Sequence, residues 1–147
     1  MEHSLELQLP FLLRRNPNLK LVPICLWPQR LDDCEAIGVA LAQTIQQHSD
    51  STLMVASSDM NHFDSAQVGN AKDKLAIKQI IELNPQQLFD TVRHNDISMC
   101  GVVPTTIMLF AAQILGATQA TLVKYSDSGD SSGDKNSVVG YAGLTVS

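Results

Sequence analysis

The segment PTTIMLFAAQIL, Pro104 to Leu115, constrains the fold more than any other part of this 147-residue chain. It is apolar on nearly every side, and its length favours a helix over a strand, so it predicts a helix buried on most of its faces. Gly116 ends it. Strand and helix signals alternate around it. Residues 19–26, 52–56, 121–125 and 138–146 read as strands, with Pro23 marking an edge or an irregularity and Gly140 and Gly143 softening the last. Helices are predicted over residues 4–15 despite Pro10, from an Asp32/Glu35 capping box to about Gln47, over 71–81, and after Asn84-Pro85. This alternation predicts an α/β fold with a mixed or mostly parallel sheet and flanking helices. The length fits a single domain over residues 1–147.

Charged residues make up only 17% of the chain, against about 25% in ordinary soluble domains. That shortfall predicts a sparsely charged surface or a large face covered by something else. The net charge is −5 and the ten basic residues are scattered, with Arg14-Arg15 the longest basic run near the start. Binding to nucleic acid or to an anionic membrane is therefore not expected. Three cysteines, Cys25, Cys34 and Cys100, leave one unpaired in any pairing, which fits a reducing cytoplasm. The opening MEHSLELQL does not read as a secretory leader, and no run of 18 apolar residues predicts a membrane span.

The stretch SSDMNHF, residues 57–63, follows directly on the predicted strand 52–56. In open α/β sheets ligands bind beyond such strand ends. Asp59 can orient an imidazole or ligate a metal, and His62 can move a proton or donate a ring nitrogen. Ser57, Ser58 and Asp59 could equally cap a turn. Cys100-Gly101 precedes the buried helix, where a thiol suits a nucleophile or a soft metal ligand, or packs as a small hydrophobe. Glu2 and His3 are poor site residues if the terminus is free, and better ones if the chain continues upstream. The loop SDSGDSSGDKN, residues 126–136, reads as solvated, since it lacks the full EF-hand pattern. P-loop and GxGxxG motifs are missing.

Taken in order, EHSLELQLPFL at 2–12, SSDMNHF at 57–63, CG at 100–101 with Pro104, and YSDSGD…SVVGYAG at 125–143 resemble the MEMO protein family. Members of that family are structurally similar to class III extradiol dioxygenases, the LigB-type enzymes that use non-haem iron. The resemblance implies a LigB-like fold of which this chain is the C-terminal half. It implies a cleft lined by Asp59 and His62, with His62 in acid/base work and Cys100 as a metal ligand. Glu2, His3 and Ser4 are matched to a segment near that cleft, and Ser58 adjoins it. The family's two metal-ligating histidines lie upstream of the EHS segment, so an incomplete site for iron or another divalent metal is implied here. Three functions follow as expectations: a MEMO-like protein without turnover, an iron-dependent dioxygenase-like oxidoreductase completed by an upstream segment or another subunit, and a module that binds a peptide or protein. A half-domain is also expected to form a homo-oligomer or to pair with its missing half.

Overall fold

The computed structural model of the chain describes residues 3–27, 30–48 and 50–147. The helix expected over 4–15 is split into a 3-10 turn, Glu6–Gln8, and helix α1, Leu9–Arg15. Pro10 decides where. Proline has no N–H to donate and is tolerated only in a first turn, so α-helical bonding starts at Leu9.

Helix α2, Leu31–Gln47, presents Cys34, Gly38 and Ala42 as its buried face. A Cβ on Gly38 would lie 2.6 Å from Phe110 Cβ and 2.9 Å from the Ile107 carbonyl oxygen. That close approach seats α2 against helix α5, Val102–Ile114. The Asp32/Glu35 capping box is not formed. Arg30 is the N-cap, without a side-chain cap bond, and pairs with Asp32 at 3.0 Å. Asp32 instead lies in the first turn, where a carboxylate still favours the helix dipole.

Helix α3, Ala66–Ile81, begins earlier than expected because Ser65 caps it, its hydroxyl accepting from Val68 N–H at 3.5 Å. Helix α4, Pro85–His94, starts as the sequence predicts, with Asn84 Oδ1 accepting from Gln87 N–H at 3.0 Å. Helix α5 is the buried apolar helix; it packs on α2 and α4 and stops before Gly116, whose φ of +93° suits glycine.

The sheet has three strands: β1, His62–Asp64; β2, Ala120–Asp127; and β3, Val138–Val146, in the order β1-β3-β2. The helix-flanked α/β class is as expected, but both strand pairings are antiparallel. The short connection containing helix α6, Gly129–Ser132, makes β2 and β3 a hairpin, and a hairpin cannot be parallel. Residues 19–26 and 52–56 are not strands. Their composition suits a sheet, yet a strand exists only where a neighbour pairs its backbone, and none does so among the described residues.

The main core gathers Ile77 and Ile80 of α3, Leu88 and Val92 of α4 and Leu109 of α5. Two loop residues join it: Met60, 2% exposed, and Met99, 5% exposed. Each is the immediate neighbour of a predicted site residue, so burial of these methionines fixes the loops that carry Asp59 and Cys100.

Candidate metal centre

Asp59, His62 and Cys100 bring one ligand atom each to within 4.8 Å of one another. His62 Nδ1 lies 2.7 Å from the Ser98 carbonyl oxygen. A carbonyl only accepts, so Nδ1 carries the proton and the neutral ring presents a bare Nε2. That nitrogen faces Asp59 Oδ2 at 3.5 Å. Two lone pairs in opposition are stable only with a proton or a cation between them. Tetrahedral Zn–N and Zn–O bonds of about 2.0–2.2 Å put neighbouring donors roughly 3.4 Å apart. The His62–Asp59 pair already has that spacing, and Cys100, which is exposed, needs to approach by no more than about 1 Å to join them.

Two serines clasp the loops that carry these donors. Ser98 Oγ accepts from His62 N–H at 2.7 Å and donates to Asn61 Oδ1 at 3.0 Å. Ser58 Oγ accepts from Gly101 N–H at 2.9 Å and donates to the Asp59 carbonyl at 2.6 Å. Asp59 N–H donates to Cys100 Sγ at 3.2 Å. Ser58 is thus a brace between the two loops, and its hydroxyl is 3.9 Å from the sulfur. Gly101 admits no side chain: a Cβ there would sit 2.6 Å from the Ser57 carbonyl oxygen.

The backbone between His62 and Asp64 breaks the register of β1 against β3, and Phe63 has a φ of +65°. A non-glycine residue in that region costs on the order of 1–3 kcal/mol and persists only where the surroundings impose it. Here it turns the Phe63 ring outward, 5.7 Å from the His62 ring.

Other predicted residues lie elsewhere. Glu2 falls outside the described residues. His3 is exposed and pairs with Glu6 at 3.0 Å. The Ser4 carbonyl accepts from Ser57 Oγ at 3.1 Å, and Gln8 Nε2 donates to the same hydroxyl at 3.2 Å, which docks the N-terminal segment beside Ser58. Within the acidic loop one lysine bridges two of the aspartates. Lys135 Nζ contacts Asp127 at 2.7 Å and Asp130 at 2.6 Å, and the lysine, with Ser126, holds the Asp130 carboxyl well below the usual range.

Sequence reasoning missed a second layer centred on Asp73. This side chain is fully buried, with Oδ1 accepting from Asn61 N–H at 2.8 Å and Oδ2 from the Tyr125 hydroxyl at 2.7 Å. Burial pushes its carboxyl up, opposed by those two donors, and burial together with Asp73 pushes the Tyr125 phenol far up. Gly140 abuts the same carboxylate with no room for a Cβ, while its N–H donates to the Asn61 carbonyl at 2.9 Å. Beyond Asn61, Asp64 is held below the ordinary carboxylate range by Lys72 at 2.9 Å and by Asn61 Nδ2 at 2.7 Å. The available signal was spacing: Gly69, Asp73, Ala76, Ile77 and Ile80 share the buried stripe of α3.

Fold and cluster together define an α/β protein whose loop tips hold a mixed thiol, imidazole and carboxylate set suited to a transition metal. Residues 1–145 match the family model described as Memo-like protein. The chain belongs to that family. It is 38% identical over 143 residues to a MEMO1 family protein of Pyrobaculum aerophilum, covering 97% of this chain and 51% of the relative. It is 39% identical over 149 residues to one of Methanocaldococcus jannaschii, covering 99% of this chain and 52% of the relative. A Methanosarcina mazei relative is 39% identical over 146 residues, 99% of this chain and 55% of its own length. The chain therefore spans about half the length of the curated relatives it matches. No helix among the described residues is long and apolar enough to cross a membrane.

Proposed function

We propose that this chain supplies one wall of a divalent-metal site in a MEMO-family protein, with Cys100 as a ligand and His62 and Asp59 as its partners. One observation carries the reading: with Nδ1 on the Ser98 carbonyl, His62 turns Nε2 toward a carboxylate oxygen at 3.5 Å with a thiol alongside. The donor set fits a metal, and a bound ion would supply Lewis acidity there. His62 and Asp59 would orient it and could shuttle a proton at Nε2. A firm redox site needs more convergent ligands. On this reading two histidines from outside the chain complete it, and the chain alone binds metal weakly and turns nothing over.

Iron is the natural first trial, given the resemblance to LigB-type enzymes. The cysteine, standing where those enzymes use a carboxylate, argues against carrying over ring cleavage. A reducing cytoplasm suits the site because its thiol must stay reduced to donate. Titration with cobalt(II) tests the reading. A thiolate-to-cobalt absorption band is expected to grow in over an excess of cobalt(II) and to saturate at one ion per chain, absent in Cys100→Ser and weakened in His62→Gln. Unchanged metal binding in the double variant sinks it.

A further inference from the structure

We infer that Asn61 is a positioning residue of the candidate metal centre: its amide fixes Ser98, and through Ser98 it decides which ring nitrogen of His62 is bare. The inference rests on the metal reading only for the use to which that nitrogen is put. Asn61 is 2% exposed, and both ends of its amide are engaged. The oxygen and nitrogen of an asparagine have nearly the same shape, so the partners determine which end faces where. Here the two partners agree. Ser98 N–H can only donate, and it reaches Oδ1 at 3.2 Å. Asp64 Oδ2, already paired with Lys72 at 2.9 Å, takes the Nδ2 proton at 2.7 Å.

Ser98 is thereby held at two points, its N–H and its Oγ, the second at 3.0 Å. The hydroxyl has a single proton. Giving it to Asn61 leaves a lone pair for His62 N–H at 2.7 Å. The His62 carbonyl, at 3.4 Å, is the rival acceptor to which the hydroxyl turns if Asn61 is lost. Attachment at two points sets the Ser98 backbone, and with it the carbonyl that stands 2.7 Å from His62 Nδ1. Lys72 steadies the same loop from α3 by donating to the Asp96 carbonyl at 3.1 Å.

Every bond in the series donates towards Asp64: His62 N–H to Ser98, Ser98 to Asn61, Asn61 to Asp64. None can be reversed singly without leaving a donor or an acceptor unmatched, which in a buried series selects one arrangement. Cys100 lies two residues beyond Ser98, so the amide of Asn61 ties the loop of the thiol to the loop of the imidazole.

The test reads the His62 ring in the metal-free full chain by ¹⁵N NMR at about pH 8.5, where imidazole is neutral. The two ring nitrogens are distinct, and their shifts exchange between tautomers. The chain has four histidines, and His62→Gln identifies the signal. The parent should show the Nδ1–H tautomer alone. Asn61→Leu removes the acceptor for Ser98 and should bring in the second tautomer, with cobalt(II) affinity lower by about tenfold. Asn61→Asp combined with Asp64→Asn keeps an acceptor towards Ser98 and restores a donor between positions 61 and 64, so it should return both readouts to the parent values. Asn61→Ser, too short to span Ser98 and Asp64, replaces the leucine variant if circular dichroism shows that variant unfolded. A lone Nδ1–H tautomer in the folded leucine or serine variant overturns the inference, as does a second tautomer in the folded exchange variant. A parent chain that binds no cobalt(II) sinks the metal reading and leaves the tautomer test standing. Cobalt binding with an unmoved tautomer sinks only this inference.

Discussion

Replacing Tyr125 with phenylalanine deletes a single oxygen, the one that donates to Asp73 Oδ2 at 2.7 Å. The carboxylate it serves is completely buried, and its other oxygen has only the Asn61 N–H at 2.8 Å. A hydrogen bond to a buried charged group contributes about 1.5–3 kcal/mol, against about 1 kcal/mol for a neutral pair. Tyr125→Phe should therefore lower stability by about 2 kcal/mol at pH 7. For a small domain with a urea slope of about 1–3 kcal/mol/M, the unfolding midpoint falls by about 1 M. The sign of the pH dependence follows from burial. The folded pKa of Asp73 lies above its unfolded value. Below the unfolded value the proton is bound in both states and the group contributes nothing. Above the folded value the buried anion opposes folding. Losing the tyrosine donor raises the folded pKa further, so the deficit grows as pH rises through that range and fades on acidification. Asp73→Asn removes the charge, and the double variant should cost less than the two changes summed. Urea melts at several pH values decide it. A Tyr125→Phe midpoint within about 0.5 kcal/mol of the parent, flat with pH, would refute the picture of an ionised carboxylate held by two donors.

Ser98→Ala should weaken cobalt(II) binding by about 10-fold while leaving the fold intact, because the hydroxyl holds the His62 backbone N–H and Asn61 Oδ1, whereas the Ser98 carbonyl that fixes the ring remains; absorption titration beside circular dichroism measures both. Asp130 has a depressed pKa, set chiefly by Lys135 and then by Ser126, so its contribution is present above the usual aspartate pKa of about 4 and lost as pH falls below it. Asp130→Asn should flatten acid unfolding in that window, and an unchanged acid limb would show that the loop ion pairs contribute nothing.

Elements whose stabilising partners lie nearby in the chain were the legible ones. The Asn84-Pro85 start of α4, the apolar α5 and strand β3 could all be read, because capping, all-round hydrophobicity and flanking turn residues are local signals. Residues 19–26 and 52–56 misled for the opposite reason: strand composition says nothing about whether a neighbour is present to pair. At the candidate site, Asp59, His62 and Cys100 were named from residue type and family motif, and the structure brings their donor atoms together. Asp73 was hidden within an ordinary-looking AKDKL stretch. Its role comes from Asn61 and Tyr125, contacts across the chain that no local pattern records. His3 was named through its motif, and its ring pairs with Glu6.

The bond between Gly140 and Asn61 also sets an order of events. The β2–β3 hairpin closes a short loop and can form early, whereas joining Gly140 to Asn61 closes one that contains α3, α4, α5 and β2, at greater entropic cost. The tip bearing Asp59 and His62 is consequently expected to assemble after the hairpin. A chain in which that joint has not yet closed would lack its assembled donors while its helices already register in the far ultraviolet, so a helical signal would be a poor guide to a working centre.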